Sequence, residues 1–132
     1  MTLTLTERVV SKKNSKQVFR NRYTGKTIVS TSDAYKNWHT LAGYQIKRFR
    51  PATPLSGPLS ISIRFNLKGK LDSDLDNMMA SIIDLLQDLE FIENDKQIVE
   101  AHLLKSAGHP DFSTLITIEK APPNGEAATT SD

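Results

Sequence analysis

The sequence predicts a small α+β fold in which a mixed β-sheet carries two main helices on one face. Three patterns predict it. Leu59, Ile61, Ile63, Phe65 and Leu67 alternate with polar residues, the period-two signature of a strand with one buried and one wet face. Leu75, Met78, Met79, Ile82, Ile83, Leu86 and Leu89 recur at i, i+3, i+4 and i+7, the stripe of an amphipathic helix. Upstream, Ala34, Tyr35, Trp38, Leu41, Ala42 and Ile46 repeat that helical spacing.

The other elements fall into order around these three. Leu3, Leu5 and Val9-Val10 lie in a Thr-rich stretch of period-two character and predict a first strand. Residues 11–32 are polar, basic and rich in turn formers, with a turn at Thr24-Gly25 and a short strand over Thr27, Ile28 and Val29. So long a basic loop within a compact domain suits a binding element. The helix over Asp33 to Phe49 takes its cap from Thr31 or Ser32, and Gly43 weakens its middle. Arg50 to Pro58 is a Pro/Gly/Ser connection, Lys68-Gly69-Lys70 ends the central strand, and Ile98–Leu104 and Phe112–Ile118 read as closing strands. Two helices over one face of a mixed sheet is the simplest arrangement of such a series. Residues 1–120 are expected to form a single domain, and 121–132 a tail of disordered composition.

Composition narrows the class. With 132 residues, 38% of them hydrophobic and 24% charged, the chain suits one soluble domain. Its apolar runs are too short to span a bilayer, and the first ten residues have neither a basic leader nor a long apolar stretch. The absence of cysteine rules out a disulfide scaffold or a thiolate metal site. A cytoplasmic protein with no membrane association is expected. Charge is uneven: residues 1–50 hold eleven of the 17 Lys and Arg but two of the 15 acids. A basic half beside an acidic half points either to a polyanion partner or to patches that neutralise each other.

The acidic stretch LDSDLDNMMA, Leu71 to Ala80, carries the chemistry. As a calcium loop it fails, because Asp72, Asp74 and Asp76 are followed by Asn77 where glycine is needed and Ile83 where glutamate is needed. As a helix start it is reasonable, since one aspartate caps the free N–H groups. Three acids in five residues exceed that need, because like charges repel unless a cation sits among them. A strand, a helix start and a helix-to-strand turn can bring Asp74, Asp76 and Asp95 together, and carboxylates at that density suit Mg²⁺. A basic half for the phosphate backbone and a carboxylate–Mg²⁺ centre together make the working parts of a nuclease. His39, His102 and His109 show no metal-ligand spacing, and the sequence holds no nucleophile elbow, P-loop or dinucleotide fingerprint. Trp38 and Tyr35 are expected in the core, and Phe19 and Tyr23 are candidates for stacking on bases.

DLDN at Asp74 to Asn77, DLL at Asp84 to Leu86, FIENDKQIV from Phe91 and a lysine ten residues past Asp95 together resemble the RusA-type Holliday-junction resolvases. The resemblance runs without a gap from Asp74 to Lys105 and more loosely through NRYTGKTIVSTSDAY upstream, so that it covers most of residues 11–120. It implies a homodimeric α+β endonuclease that resolves four-way DNA junctions with Mg²⁺, by paired symmetric nicks, in recombination and repair. It assigns Asp74, Asp76 and Asp95 as the catalytic, metal-binding acids, with Asn77 bracing the site and Asp72 as a helper. Lys12, Lys13, Asn14, Lys16, Arg20, Arg22, Lys26 and Lys70 are the residues expected to contact DNA. One departure stands out: the family has a lysine four residues after the second DLDN aspartate, and here that residue is Ala80. An ammonium there can orient water or stabilise charge at the phosphate. Its loss leaves a second reading, a weakened enzyme that binds branched DNA and kept the fold.

Overall fold

The computed structural model describes residues 1–11, 16–20, 27–31 and 33–122, the two central segments through their backbone. In chain order the elements are β1 (Thr2–Leu5), β2 (Lys16–Arg20), β3 (Thr27–Thr31), α1 (Asp33–Ile46), β4 (Leu59–Asn66), α2 (Leu75–Asp88), β5 (Ile98–Ser106) and β6 (Ser113–Lys120). Single 3₁₀ turns at Lys47–Phe49 and Asp95–Gln97 follow α1 and precede β5.

Four strands form one mixed sheet in the order β1-β6-β4-β5. β4 runs parallel to β5 and antiparallel to β6, and β6 is antiparallel to β1. The parallel pair needs a crossover, which α2 supplies. Register aligns the apolar positions: Ile63 faces Ile116, which faces Leu3, while Ile61 faces Ile118. All of these side chains are buried with Leu59 and Phe65. The alternate set, which includes Ser62, Arg64 and Leu115, lies on the open face. Because only one face is apolar and covered, both helices pack there. Tyr35, Trp38, Ala42 and Ile46 of α1 and Met78, Ile82, Leu85 and Leu86 of α2 join one core cluster with the strands. Truncating one of its fully buried residues, such as Ile82 or Leu85, to alanine costs about 2–5 kcal/mol.

Four expectations shift in detail. The first strand ends at Leu5; Val9 still enters the core, and the Val10 carbonyl accepts from the Ser81 hydroxyl at 2.8 Å. The basic stretch forms a two-stranded antiparallel hairpin, β2 with β3, where a single short strand was expected. Gly43 does not interrupt α1. It is buried, and a Cβ there would lie 3.7 Å from Leu89, so the residue marks close helix packing that outweighs its poor helix propensity. Regular helix stops at Ile46, and Lys47–Phe49 tighten into a 3₁₀ turn. Residues 123–132, the tail expected to be disordered, lie outside the described residues. Among the described residues no helix is long and apolar enough to cross a membrane.

Candidate metal and nucleic-acid site

The acidic stretch is the entry to α2. Asp74 is the N-cap: its Oδ1 accepts from the N–H of Asp76 at 2.9 Å and of Asn77 at 3.4 Å. That accounts for the capping share of the cluster. Asp76 lies in the first helical turn, exposed, and forms no side-chain hydrogen bond or ion pair among the described residues.

Two cations hold the loop ahead of this helix. Lys105 on β5 donates from Nζ to the carbonyls of Ser73 at 2.7 Å and Leu71 at 3.3 Å. Arg8 donates to the Ser73 hydroxyl at 3.2 Å and pairs with Asp72 at 3.6 Å, its guanidinium lying over the Phe112 ring. Arg8, Asp72, Ser73, Asp74 and Asn77 all line a shallow groove of about 430 Å³. Asp72 is thus engaged by Arg8, and Lys105 by the backbone.

Asp95 reaches the site from the other end of α2. Leu89 and Glu90 end the helix, Glu90 with a positive φ of 64°, and the Phe91 N–H returns to the Leu86 carbonyl at 2.9 Å. Phe91 and Ile92 then plug the core. Asn94 caps the next turn in a reciprocal capping box with Gln97, and the Asp95 N–H donates to Gln87 Oε1 at 3.1 Å. Asp95 therefore has a fixed backbone and an exposed carboxylate. It lines a second groove, about 480 Å³, between α2 and β5, together with Ala80, Asp84, Gln87 and Glu100. Asp76 stands one turn ahead of Ala80 on the same helix face. Among the described residues, no Lys or Arg lines this groove.

Asp74 lines the groove at the helix start and Asp95 the groove between α2 and β5, and the ligand atoms of Asp74, Asp76 and Asp95 are not gathered within 4.8 Å of one another. The position of Ala80 on the groove wall makes the missing lysine a local fact. Lys105 does not stand in for it, since its ammonium is spent on Leu71 and Ser73. Lys70 is exposed on the connection before α2. Lys12, Lys13, Asn14, Arg22, Lys26 and Tyr23 lie outside the described residues, as do the side chains of Lys16, Phe19 and Arg20.

Sequence reasoning missed a third feature. His39 of α1 sits 2.9 Å from Asp88 of α2, and the Tyr35 hydroxyl donates to Asp84 Oδ2 at 2.6 Å. Burial, reinforced by the Asp84 hydrogen bond and charge, pushes the Tyr35 hydroxyl well above the ordinary tyrosine range. Asp84 is therefore held in place and is more than a solvated acid of the polar face. The i, i+4 spacing of Asp84 and Asp88 was the available signal; the histidine arrives 45 residues earlier in the chain, through helix packing.

Comparison with known proteins agrees with the geometry. The family described as endodeoxyribonuclease RusA matches residues 8–119. A crossover junction endodeoxyribonuclease RusA from Aquifex aeolicus (strain VF5) is 28% identical over 82 residues. That match covers 62% of this chain and 65% of the relative, so the chain spans just under two thirds of the relative's length.

Proposed function

The chain belongs to the RusA endodeoxyribonuclease family, and from that premise we propose that it is a Mg²⁺-dependent, structure-specific endonuclease resolving Holliday junctions. The observation that carries this reading is the pair of exposed carboxylates at the two ends of α2, Asp76 in its first turn and Asp95 beyond its last, the latter in a groove with no Lys or Arg among its described lining residues. Asp74, Asp76 and Asp95 offer exposed oxygen donors, which suit a hard ion. Mg²⁺ is such an ion, and because it keeps several waters and completes its shell with substrate phosphate it needs few direct protein ligands. Asp74, Asp76 and Asp95 would hold it. When bound, it supplies a polarised water and a counter-charge for the phosphodiester. Asp74 also fixes the first turn of α2, while Lys105 and Arg8 hold the loop on which it stands. Asn77 braces Asp74 through its N–H, and Asp72 contributes through Arg8.

Lys12, Lys13, Asn14, Lys16, Arg20, Arg22 and Lys26, on or beside the β2–β3 hairpin, and Lys70 would take the DNA backbone, positioning it without reading sequence. Paired symmetric nicks need two active sites, hence a homodimer. A cytoplasmic enzyme of recombination and repair is the setting this implies. Asp76→Asn should abolish cleavage of a synthetic four-way junction while leaving binding intact or tighter, because negative charge near phosphate is removed. Cleavage at the wild-type rate would sink the assignment.

A second reading rests on Ala80. The groove wall that carries Asp95 has no ammonium, so a slow enzyme or a junction binder with little cleavage is the alternative. Bound but uncut junctions in the presence of Mg²⁺ would favour it.

A further inference from the structure

Away from the three family aspartates, α1 and α2 bring His39, Asp84 and Asp88 together, with one ligand atom of each within 4.8 Å of the other two. No other group of three metal-ligating side chains gathers this closely among the described residues. We propose that this cluster is a transition-metal site that takes Zn²⁺ between the two helices. The proposal does not depend on the nuclease reading.

Donor chemistry selects the ion. An imidazole nitrogen with two carboxylates is a borderline set, which suits zinc and its neighbours, whereas Mg²⁺ and Ca²⁺ take oxygen. The spacing is suitable as well. Asp84 and Asp88 are one turn apart on one face of α2, and His39 faces them from α1. Zinc sits about 2.0–2.2 Å from nitrogen and oxygen ligands, so any two are at most about 4.4 Å apart. The cluster needs less than about 1 Å of closure to reach that limit. The His39 Nε2 to Asp88 Oδ2 distance is already 2.9 Å.

The surroundings prepare the ligands. Tyr35 is 4% exposed and donates to Asp84 Oδ2 at 2.6 Å, the kind of outer hydrogen bond that orients a metal-bound carboxylate. The His39 and Asp88 side chains are 26% and 52% exposed, which leaves an entry path and room for a water as fourth ligand. A histidine–carboxylate hydrogen bond alone would explain His39 with Asp88. The Tyr35 hydroxyl likewise holds Asp84, and neither hydrogen bond by itself requires one ligand atom of all three side chains to lie within 4.8 Å of the others. A bound ion would fasten α1, which follows the basic hairpin, to the helix that carries Asp76.

The test titrates the full chain with Zn²⁺ at neutral pH by calorimetry, with Mg²⁺ as the control ion. The expected result is one equivalent of Zn²⁺ that depends on His39 and Asp88 and is not competed away by Mg²⁺ bound at Asp74, Asp76 and Asp95, with a raised melting temperature. His39→Gln and Asp88→Asn should each weaken Zn²⁺ binding by at least about tenfold, Tyr35→Phe by about tenfold, and Asp76→Asn by less than about twofold. In the unsubstituted protein, Zn²⁺ should perturb the ring resonances of His39 and leave those of His102 and His109 unmoved, a readout that needs no variant to fold. Absent uptake, uptake unaffected by His39→Gln or Asp88→Asn, loss with Asp76→Asn, or an unperturbed His39 ring would each overturn the proposal.

Discussion

The two sides of α2 carry similar numbers of acids and treat them differently. On the side of the incoming loop, Asp72 and Asp74 sit where Arg8 and Lys105 hold the chain, and Asp74 is spent in part on capping. On the side facing β5, Asp84, Asp95 and Glu100 line a groove that has no Lys or Arg among the described residues. The first is a structural solution to negative charge, with cations and N–H groups supplied by the fold. In the second, Tyr35 donates to Asp84 and His102 lies 3.3 Å from Glu100, while the exposed Asp95 carboxylate forms no ion pair among the described residues, which suits the metal-binding role proposed for it.

Four substitutions probe that contrast. The largest effect is expected on the uncompensated side: Asp95→Asn should cut junction cleavage at least about a hundredfold, with little change in melting temperature, because the carboxylate is exposed. A comparable loss of folded protein would instead make Asp95 a structural acid. Next, Ala80→Lys restores an ammonium to the groove and should raise the single-turnover cleavage rate by about tenfold; an unchanged or lower rate would mean that this architecture no longer uses the group. On the compensated side, Lys105→Met removes two charge-assisted bonds to backbone carbonyls and should lower unfolding free energy by about 1–2 kcal/mol in urea titrations. Cleavage should fall only a few-fold, since the loop is loosened but the ligands remain. The smallest effect belongs to Arg8→Ala, whose half-exposed pair with Asp72 contributes less than about 1 kcal/mol and weakens further in high salt.

Legibility in the sequence followed the same division. β4 and α2 were readable because one face of each is buried, which imposes periods of two and 3.6. The cap at Asp74 was readable because capping is local chemistry. β2 was not, since Lys16–Arg20 carries its two apolar residues, Val18 and Phe19, at adjacent positions within a basic run, and its partner is chosen by hairpin pairing. The role of Lys105 left no trace, because its acceptors are backbone carbonyls and any residues can supply those. The His39 cluster was invisible for a third reason. Its spacing is set by the packing of two helices that lie far apart in the chain. Of the residues proposed to contact Mg²⁺, the chain positions were legible, but their distribution around α2 required the fold.

The central claim is that the acids along α2 are completed by Mg²⁺ to cut branched DNA. Its most direct test is incubation of the full chain with a synthetic four-way junction, with and without Mg²⁺, read on denaturing gels. The account predicts paired nicks placed symmetrically across the junction with Mg²⁺, and bound but uncut junctions without it. Junctions that stay intact with Mg²⁺, or that are cut equally in the presence of a chelator, would contradict it.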